Sequence, residues 1–186
     1  MTLLNFSGGI DSLYCLWQYA LSKTPLLIHY CELQNWTKRH EQERVAVAKI
    51  LGWIDKHLPF EYTYLKSSFD YGNLSIVKDK EVIGFMTGVI LRDKRHEVDS
   101  VIISSNKEDV SRLEYYTESE ADRIRLMEGV GHKKVKYLYP IKDKTKAELI
   151  AELPKDLLSL SWFCRVPKAG NPCGKCKTCK IVLPHV

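Results

Sequence analysis

Short apolar runs alternate with stretches of helical spacing from Thr2 to Leu153, and this alternation limits the possible folds more than any other feature of the chain. Thr2 to Phe6 is the first run. It meets Ser7-Gly8-Gly9, after which Ile10, Leu13, Leu16, Trp17 and Leu21 recur along one helix face. Leu26 to Tyr30 after Pro25, Tyr62 to Leu65, Val98 to Ser104 and Val135 to Tyr139 predict four further strands. The intervening helices are expected to bury Val45, Ala48 and Leu51, then Ile83, Met86, Val89 and Ile90 within Val82 to Lys94. Glu118 to Val130 should form a helix stopping near Gly129 and Gly131, and Lys144 to Leu153 one closed by Pro154. Asn35 to Arg39 and Phe69 to Lys80 read as loops. Strands alternating with helices predict an α/β fold, an open parallel sheet with helices on both faces. Such sheets bind ligands at the carboxyl ends of their strands.

A chain of 186 residues suits one α/β domain with a small appendage. The boundary is expected near residue 156, with residues 157–186 forming a compact tail held by cysteines rather than by a core. A content of 45% hydrophobic and 27% charged residues excludes a disordered or coiled-coil chain. No apolar run approaches the roughly 20 residues that cross a bilayer, and Met1 to Phe6 lacks the form of a leader, so a cytoplasmic location is expected. The net charge of +5 suits a phosphate-rich small molecule and falls short of the basic excess of a nucleic-acid binder. The expected partners are therefore small molecules, with neither a membrane nor a stable nucleic-acid complex, and a homodimer is left open.

Ser7-Gly8-Gly9-Ile10-Asp11-Ser12 lies between the first strand and the first helix, where backbone N–H groups and the helix dipole favour an anion. Two glycines let the backbone come close to it. Ser7 and Ser12 offer hydroxyl donors, and Asp11 a carboxylate for Mg²⁺. A tight turn with Asp11 as helix cap is the plainer alternative. The spacings Gly-x4-Gly-Lys-Ser/Thr and Gly-x-Gly-x2-Gly of other phosphate loops are absent.

Of six cysteines, Cys15 and Cys31 sit early, while Cys164, Cys173, Cys176 and Cys179 crowd the tail. Four thiolates in one short stretch suit a tetrahedral, structural zinc site. Gly170, Pro172 and Gly174 supply turns, and Lys175, Lys177 and Lys180 offset the negative charge. An iron-sulfur site is the alternative, because Cys-x2-Cys-x2-Cys also holds clusters.

Ser7 to Ser12 resembles the SGGxDS loop of the N-type ATP pyrophosphatases, the PP-loop superfamily with an adenine nucleotide alpha hydrolase-like fold. Combined with Cys-x8-Cys-x2-Cys-x2-Cys, it is similar to the 7-cyano-7-deazaguanine synthase family from Leu3 to Cys179. Arg39-His40, with Glu41 and Glu43, matches that family's Gln-Arg-His region with Lys38 in place of glutamine. Ser104-x-Asn106-x2-Asp109 matches its Gly-x-Asn-x2-Asp, and Pro140, Lys146 and Glu148 match a proline before Lys-Ala-Glu. Lys80 to Phe85 departs from the family's Pro-Gly-Arg-Asn, and Arg112 to Tyr116 from its Tyr-Pro-Asp-Cys-Arg.

The resemblance implies a ligase that converts 7-carboxy-7-deazaguanine, ammonia and ATP to the nitrile through adenylated intermediates, releasing AMP and pyrophosphate. It puts pyrophosphate on Ser7, Gly8, Gly9, Ile10 and Ser12 with Arg39, Mg²⁺ on Asp11, and developing phosphate charge on Lys146. It assigns the deazapurine to Asn106, Asp109 and His40, and one zinc to Cys164, Cys173, Cys176 and Cys179. Three alternatives stay open. A PP-loop tRNA thiolase would need a reactive cysteine, for which Cys15 is placed, or an iron-sulfur site together with an RNA-binding extension. A relative with a different acceptor would serve defence or viral DNA modification. The third is a non-catalytic zinc- and nucleotide-binding module.

Overall fold

The computed structural model describes residues 1–74, 79–110 and 113–185, with side chains throughout except at 113–117. Five strands form one parallel sheet: β1 (Thr2–Asn5), β2 (Leu26–Gln34), β3 (Tyr62–Asp70), β4 (Ser100–Ile102) and β5 (Lys136–Leu138). Their order is β3-β2-β1-β4-β5. The chain thus runs outward from β1 through β2 to β3, then returns to place β4 on the other side of β1. The reversal opens a crevice at the carboxyl ends of β1 and β4, the usual ligand position in such sheets.

Eight α-helices are described: α1 (Ile10–Leu21), α2 (His40–His57), α3 (Asp79–Arg92), α4 (Lys107–Val110), α5 (Leu113–Gly131), α6 (Lys146–Glu152), α7 (Lys155–Ser159) and α8 (Lys177–Val182). Alternation along each strand sends neighbours to opposite faces. Leu4, Ile28 and Ile102 join Leu13, Leu16, Ile50, Leu149 and Leu157 on one face. Leu3, Leu27 and Val101 meet Ile90 and Leu91 of α3 and Met127 of α5 on the other. Apolar side chains therefore fill the sheet's two faces as expected. None of the described helices is long and apolar enough to cross a membrane.

Several details differ from the sequence reading. β2 and β3 continue to Gln34 and Asp70, paired over nine residues, so the expected loop begins only after Asp70. Within α2 the buried face is Ala46, Val47, Ile50, Leu51 and Ile54, while Val45 and Ala48 are exposed. Three residues turn a helix by about 300°, so an i, i+3, i+6 series walks off one face. β4 covers only Ser100–Ile102, because the chain leaves the ladder to enter α4. α5 begins earlier than expected, at Leu113, and ends at Gly131. α6 begins at Lys146, since Thr145 caps it through a reciprocal pair of contacts with Glu148.

On α3, Val89 is exposed, and the side facing α5 includes Gly84, Gly88 and Leu91. A Cβ on Gly88 would lie 2.7 Å from Val130 Cβ and 2.8 Å from the Met127 carbonyl. One on Gly131 would lie 2.9 Å from Leu91 Cβ. These two glycines permit the close crossing of α3 and α5. The tail is also more than a cysteine-held appendage. Leu157, Leu158 and Val182 are buried in the main core, each worth roughly 1.5–3 kcal/mol relative to exposure.

Candidate active site

The glycine loop turns on Gly8, at φ +75°, a conformation that L side chains rarely adopt. A Cβ there would also meet Ala46 Cβ at 3.1 Å and the Val47 nitrogen at 3.3 Å. Gly9 is the N-cap of α1 and no side chain caps that end. The helix start thus keeps donors for a ligand, and Asp11 is not the cap. Ile10 is buried in the core, so only its backbone can serve the site. Ser7, Gly9, Asp11 and Ser12 line one cleft, and Ser12 Oγ donates to the Gly9 carbonyl at 3.1 Å.

Asp11 is gripped on both oxygens. Asn106 Nδ2 donates to Oδ1 at 3.0 Å, and Lys146 Nζ is paired with Oδ2. Asn106 Oδ1 accepts the Asp109 backbone N–H at 3.0 Å, so both ends of this buried amide are occupied within the protein. The Glu108 carboxylate accepts the Lys146 backbone N–H at 3.0 and 3.1 Å, fixing the start of α6 against α4. Residues of α1, α4 and α6 are thereby locked together beside the loop.

The cleft holds about 230 Å³ between the loop, the ends of β1 and β4, α3 and α5. Asp109 faces it, as do Lys80, Arg123 and Arg165. Asn5, His29 and Thr87 also line it. They belong to a chain of hydrogen bonds from Ser67 to the Ile83 carbonyl. His29 bonds Ser67 Oγ and Asn5 Oδ1, both at 2.8 Å. Asn5 Nδ2 donates to Thr87 Oγ1 at 3.0 Å, and Thr87 donates to the Ile83 carbonyl at 2.7 Å. Those directions leave His29 protonated on Nδ1, with Nε2 accepting from Ser67. Burial draws the His29 pKa down to about 4, so the ring is neutral at pH 7. Sequence reading missed this network. Its signal was His29 within the apolar Leu26–Tyr30 run and Asn5 directly after Leu3 and Leu4.

Arg39 and His40 lie elsewhere and do not line the cleft. Arg39 is paired with Asp79, while a Glu43 oxygen sits 3.2 Å from Nε, off the N–H direction, as an ion pair without a hydrogen bond. Burial opposes the guanidinium charge, but Glu43 and Asp79 outweigh it and hold the proton more firmly than usual. Burial pushes the Glu43 carboxyl up, despite Arg39. His40 contributes its carbonyl to the Tyr30 hydroxyl at 3.3 Å, and its buried Nδ1 has no hydrogen-bond partner among the described residues. The side chains of Arg112 to Tyr116 all fall outside those described.

The sulfurs of Cys164, Cys173, Cys176 and Cys179 all lie within 4.8 Å of one another, the arrangement of a metal-binding centre. Backbone N–H groups of Cys173, Cys176 and Cys179 donate to Cys164, Cys173 and Cys176 sulfurs at 3.2, 3.3 and 3.4 Å. Gly170 and Gly174 take φ +78° and +67° in the turns around the cluster. The amides of Cys176 and Lys175 draw the Cys173 thiol down to about 6. Cys15, by contrast, is fully buried and its thiol is pushed up to about 12, chiefly by that burial. It is not placed as a nucleophile.

No protein-family model and no curated protein sequence matches this chain. Solved structures do. The U34-tRNA thiolase NcsA from Methanococcus maripaludis, solved with its [4Fe-4S] cluster, is 17% identical, with a TM-score of 0.55 over 90% of this chain. The NMN synthetase from Francisella tularensis is 14% identical, with a TM-score of 0.50 over 95% of this chain. The matches span 59% of the thiolase and 69% of the synthetase. At these identities the likeness shows the fold alone, a parallel α/β sheet covered by helices on both faces.

Proposed function

We propose that this chain binds ATP on the Ser7–Ser12 loop and transfers AMP to an oxygen of a small acid, 7-carboxy-7-deazaguanine, releasing pyrophosphate. The observation that carries this reading is the Asp11 carboxylate, held by Lys146 and Asn106 beside an uncapped helix start at the sheet's reversal. A carboxylate expels oxide poorly, and adenylation gives it AMP to expel instead. Ammonia then attacks the mixed anhydride to form the amide. A second adenylation on the amide oxygen allows dehydration to the nitrile, so one phosphate site serves both steps. Charge neutralisation and alignment should dominate the catalysis.

Asp11 and the Ser12 hydroxyl offer the hard oxygens that Mg²⁺ takes, and the ion would neutralise phosphate charge. Lys146 holds Asp11 in place. Asp109 is exposed and lines the cleft, and its carboxylate would read the amino and ring N–H edge of a guanine-like base. Asn106, occupied at both ends, serves by holding Asp11.

For the tail, zinc fits the spacing of the sulfurs. Four bonds of about 2.3 Å in a tetrahedron put sulfurs about 3.8 Å apart, and Cys173 and Cys179 lie 3.9 Å apart. A [4Fe-4S] cube sets irons at alternate corners, one thiolate on each, and spreads those thiolates wider. A thiolase remains the second reading, on the fold it shares with NcsA, but buried Cys15 offers it no nucleophile.

Incubation with ATP, Mg²⁺, ammonium and 7-carboxy-7-deazaguanine tests the reaction. AMP, pyrophosphate and the amide or nitrile mass are expected. ADP as the main product, or AMP formed only with tRNA, overturns the assignment.

A further inference from the structure

We infer that Arg165 is a phosphate-binding residue of the cleft, carried to it by the four-cysteine tail. The inference rests on ATP binding at the Ser7–Ser12 loop. Arg165 lines the same cleft as Ser7, Gly9 and Asp11, although it stands 153 positions after Ser12. Its backbone is fixed from several directions. The Trp162 N–H donates to the Gly8 carbonyl at 2.9 Å, joining the tail directly to the glycine turn. The Trp162 indole N–H donates to the Cys164 carbonyl, also at 2.9 Å. The Arg165 amide lies beside the Cys176 sulfur. The main chain is pinned between the loop and the thiolates, while the side chain stays exposed.

Charge balance makes this arginine matter. Lys146 is paired with Asp11, Arg39 with Asp79 and Glu43, and Arg123 with Glu120. Arg165 makes no ion pair among the described residues. Its positive charge is therefore available to a phosphate without first breaking an internal contact. A guanidinium presents a planar fork that matches phosphate oxygens in pairs, and it cannot lose its proton at any working pH. It lines the same cleft as Gly9 and Ser12 at the start of α1, so a polyphosphate on the loop would lie within one cleft with both.

Equilibrium binding tests this with three probes: the ATP analogue carrying a methylene bridge between its α and β phosphates, inorganic pyrophosphate, and adenosine. Arg165→Ala should weaken the analogue and pyrophosphate by about 10- to 100-fold, the usual worth of hydrogen bonds to a charged group, and leave adenosine unchanged. Arg165→Lys should recover part of the loss, since it restores charge but not the fork. The unfolding midpoint of Arg165→Ala should match the unsubstituted protein, because the side chain is exposed. Unchanged affinity of Arg165→Ala for both phosphate probes overturns the inference while leaving adenylation standing. If the unsubstituted protein binds neither the analogue nor pyrophosphate, both readings fall together.

Discussion

Asp11 and Lys146, separated by 135 positions, form an ion pair that joins the first turn of α1 to the first residue of α6. A lysine so placed performs two tasks. It orients the Asp11 carboxylate, and it holds a positive charge at the edge of the phosphate loop. Glu108 adds to the arrangement by accepting the Lys146 backbone N–H, so the pair is set by three helices rather than by one flexible side chain.

Because the two residues act as a unit, their losses should not add. Asp11→Asn and Lys146→Met should each lower AMP formation by about 100-fold, in the range found when one preorganised charge-stabilising group is removed. The double variant should lose little beyond either single change. Initial rates of AMP release for the three variants check this. Losses that multiply would show that the residues work independently.

Two glycines allow a stability test of the loop. Gly8→Ala should destabilise by roughly 1–3 kcal/mol, since it forces a side chain into φ +75° and against the backbone of α2. Gly52, inside α2, has nothing within 4 Å of an added Cβ. Gly52→Ala should therefore stabilise, by roughly 0.5–1 kcal/mol, through helix propensity and a less free unfolded chain. Urea denaturation of both variants measures the opposite signs directly.

The strand-helix alternation, the glycine loop and the cysteine cluster were legible because each is local: its residues stand close together in the chain. What escaped was assembled across distance. Asn5, His29, Ser67 and Thr87 come from four elements, and each alone looks like an ordinary polar residue. The pairing of Arg39 with Asp79 spans 40 positions, so the arginine read as a free cation. α2 misled for another reason. Its apolar residues allow more than one face, and packing of Val47, Ile50 and Ile54 against the sheet decides which is buried. Leu157, Leu158 and Val182 fill a core built by distant segments, which spacing within the tail could not reveal.

His29 should make stability depend on pH in a defined window. Its folded pKa of about 4 lies below the unfolded value of about 6.5, so the unfolded chain binds the proton more readily in between. The favourable contribution is complete above about pH 6.5 and falls as the pH drops toward 4, where the folded protein also becomes protonated. The change across that window is about 3 kcal/mol. Urea denaturation at pH 7 and 4.5 should show the loss in the unsubstituted protein. His29→Asn, which keeps a donor near Nδ1 but cannot titrate, should show a markedly smaller one. Equal losses in the two proteins would assign the pH dependence to other groups.

Metal removal should act at two places. The tail from Cys164 to Cys179 has little apolar surface of its own, so thiolate-metal bonds supply most of its order, whereas Leu157 and Leu158 remain anchored in the core. Metal analysis of the isolated protein should find about one zinc per chain. Chelation should then expose the Arg165 to Lys177 region to proteolysis without collapsing the sheet, since the five strands bury their residues independently of the cysteines. The second effect is on the cleft. Trp162 bonds both Gly8 and Cys164, so loosening the cysteines should disturb the glycine turn and weaken pyrophosphate binding. Protease mapping and pyrophosphate titration of the zinc-free protein measure the two effects separately. A chelated tail as resistant as the loaded one, with pyrophosphate bound as before, would show that the metal supports neither, and stoichiometric iron with visible absorbance would favour the thiolase reading instead.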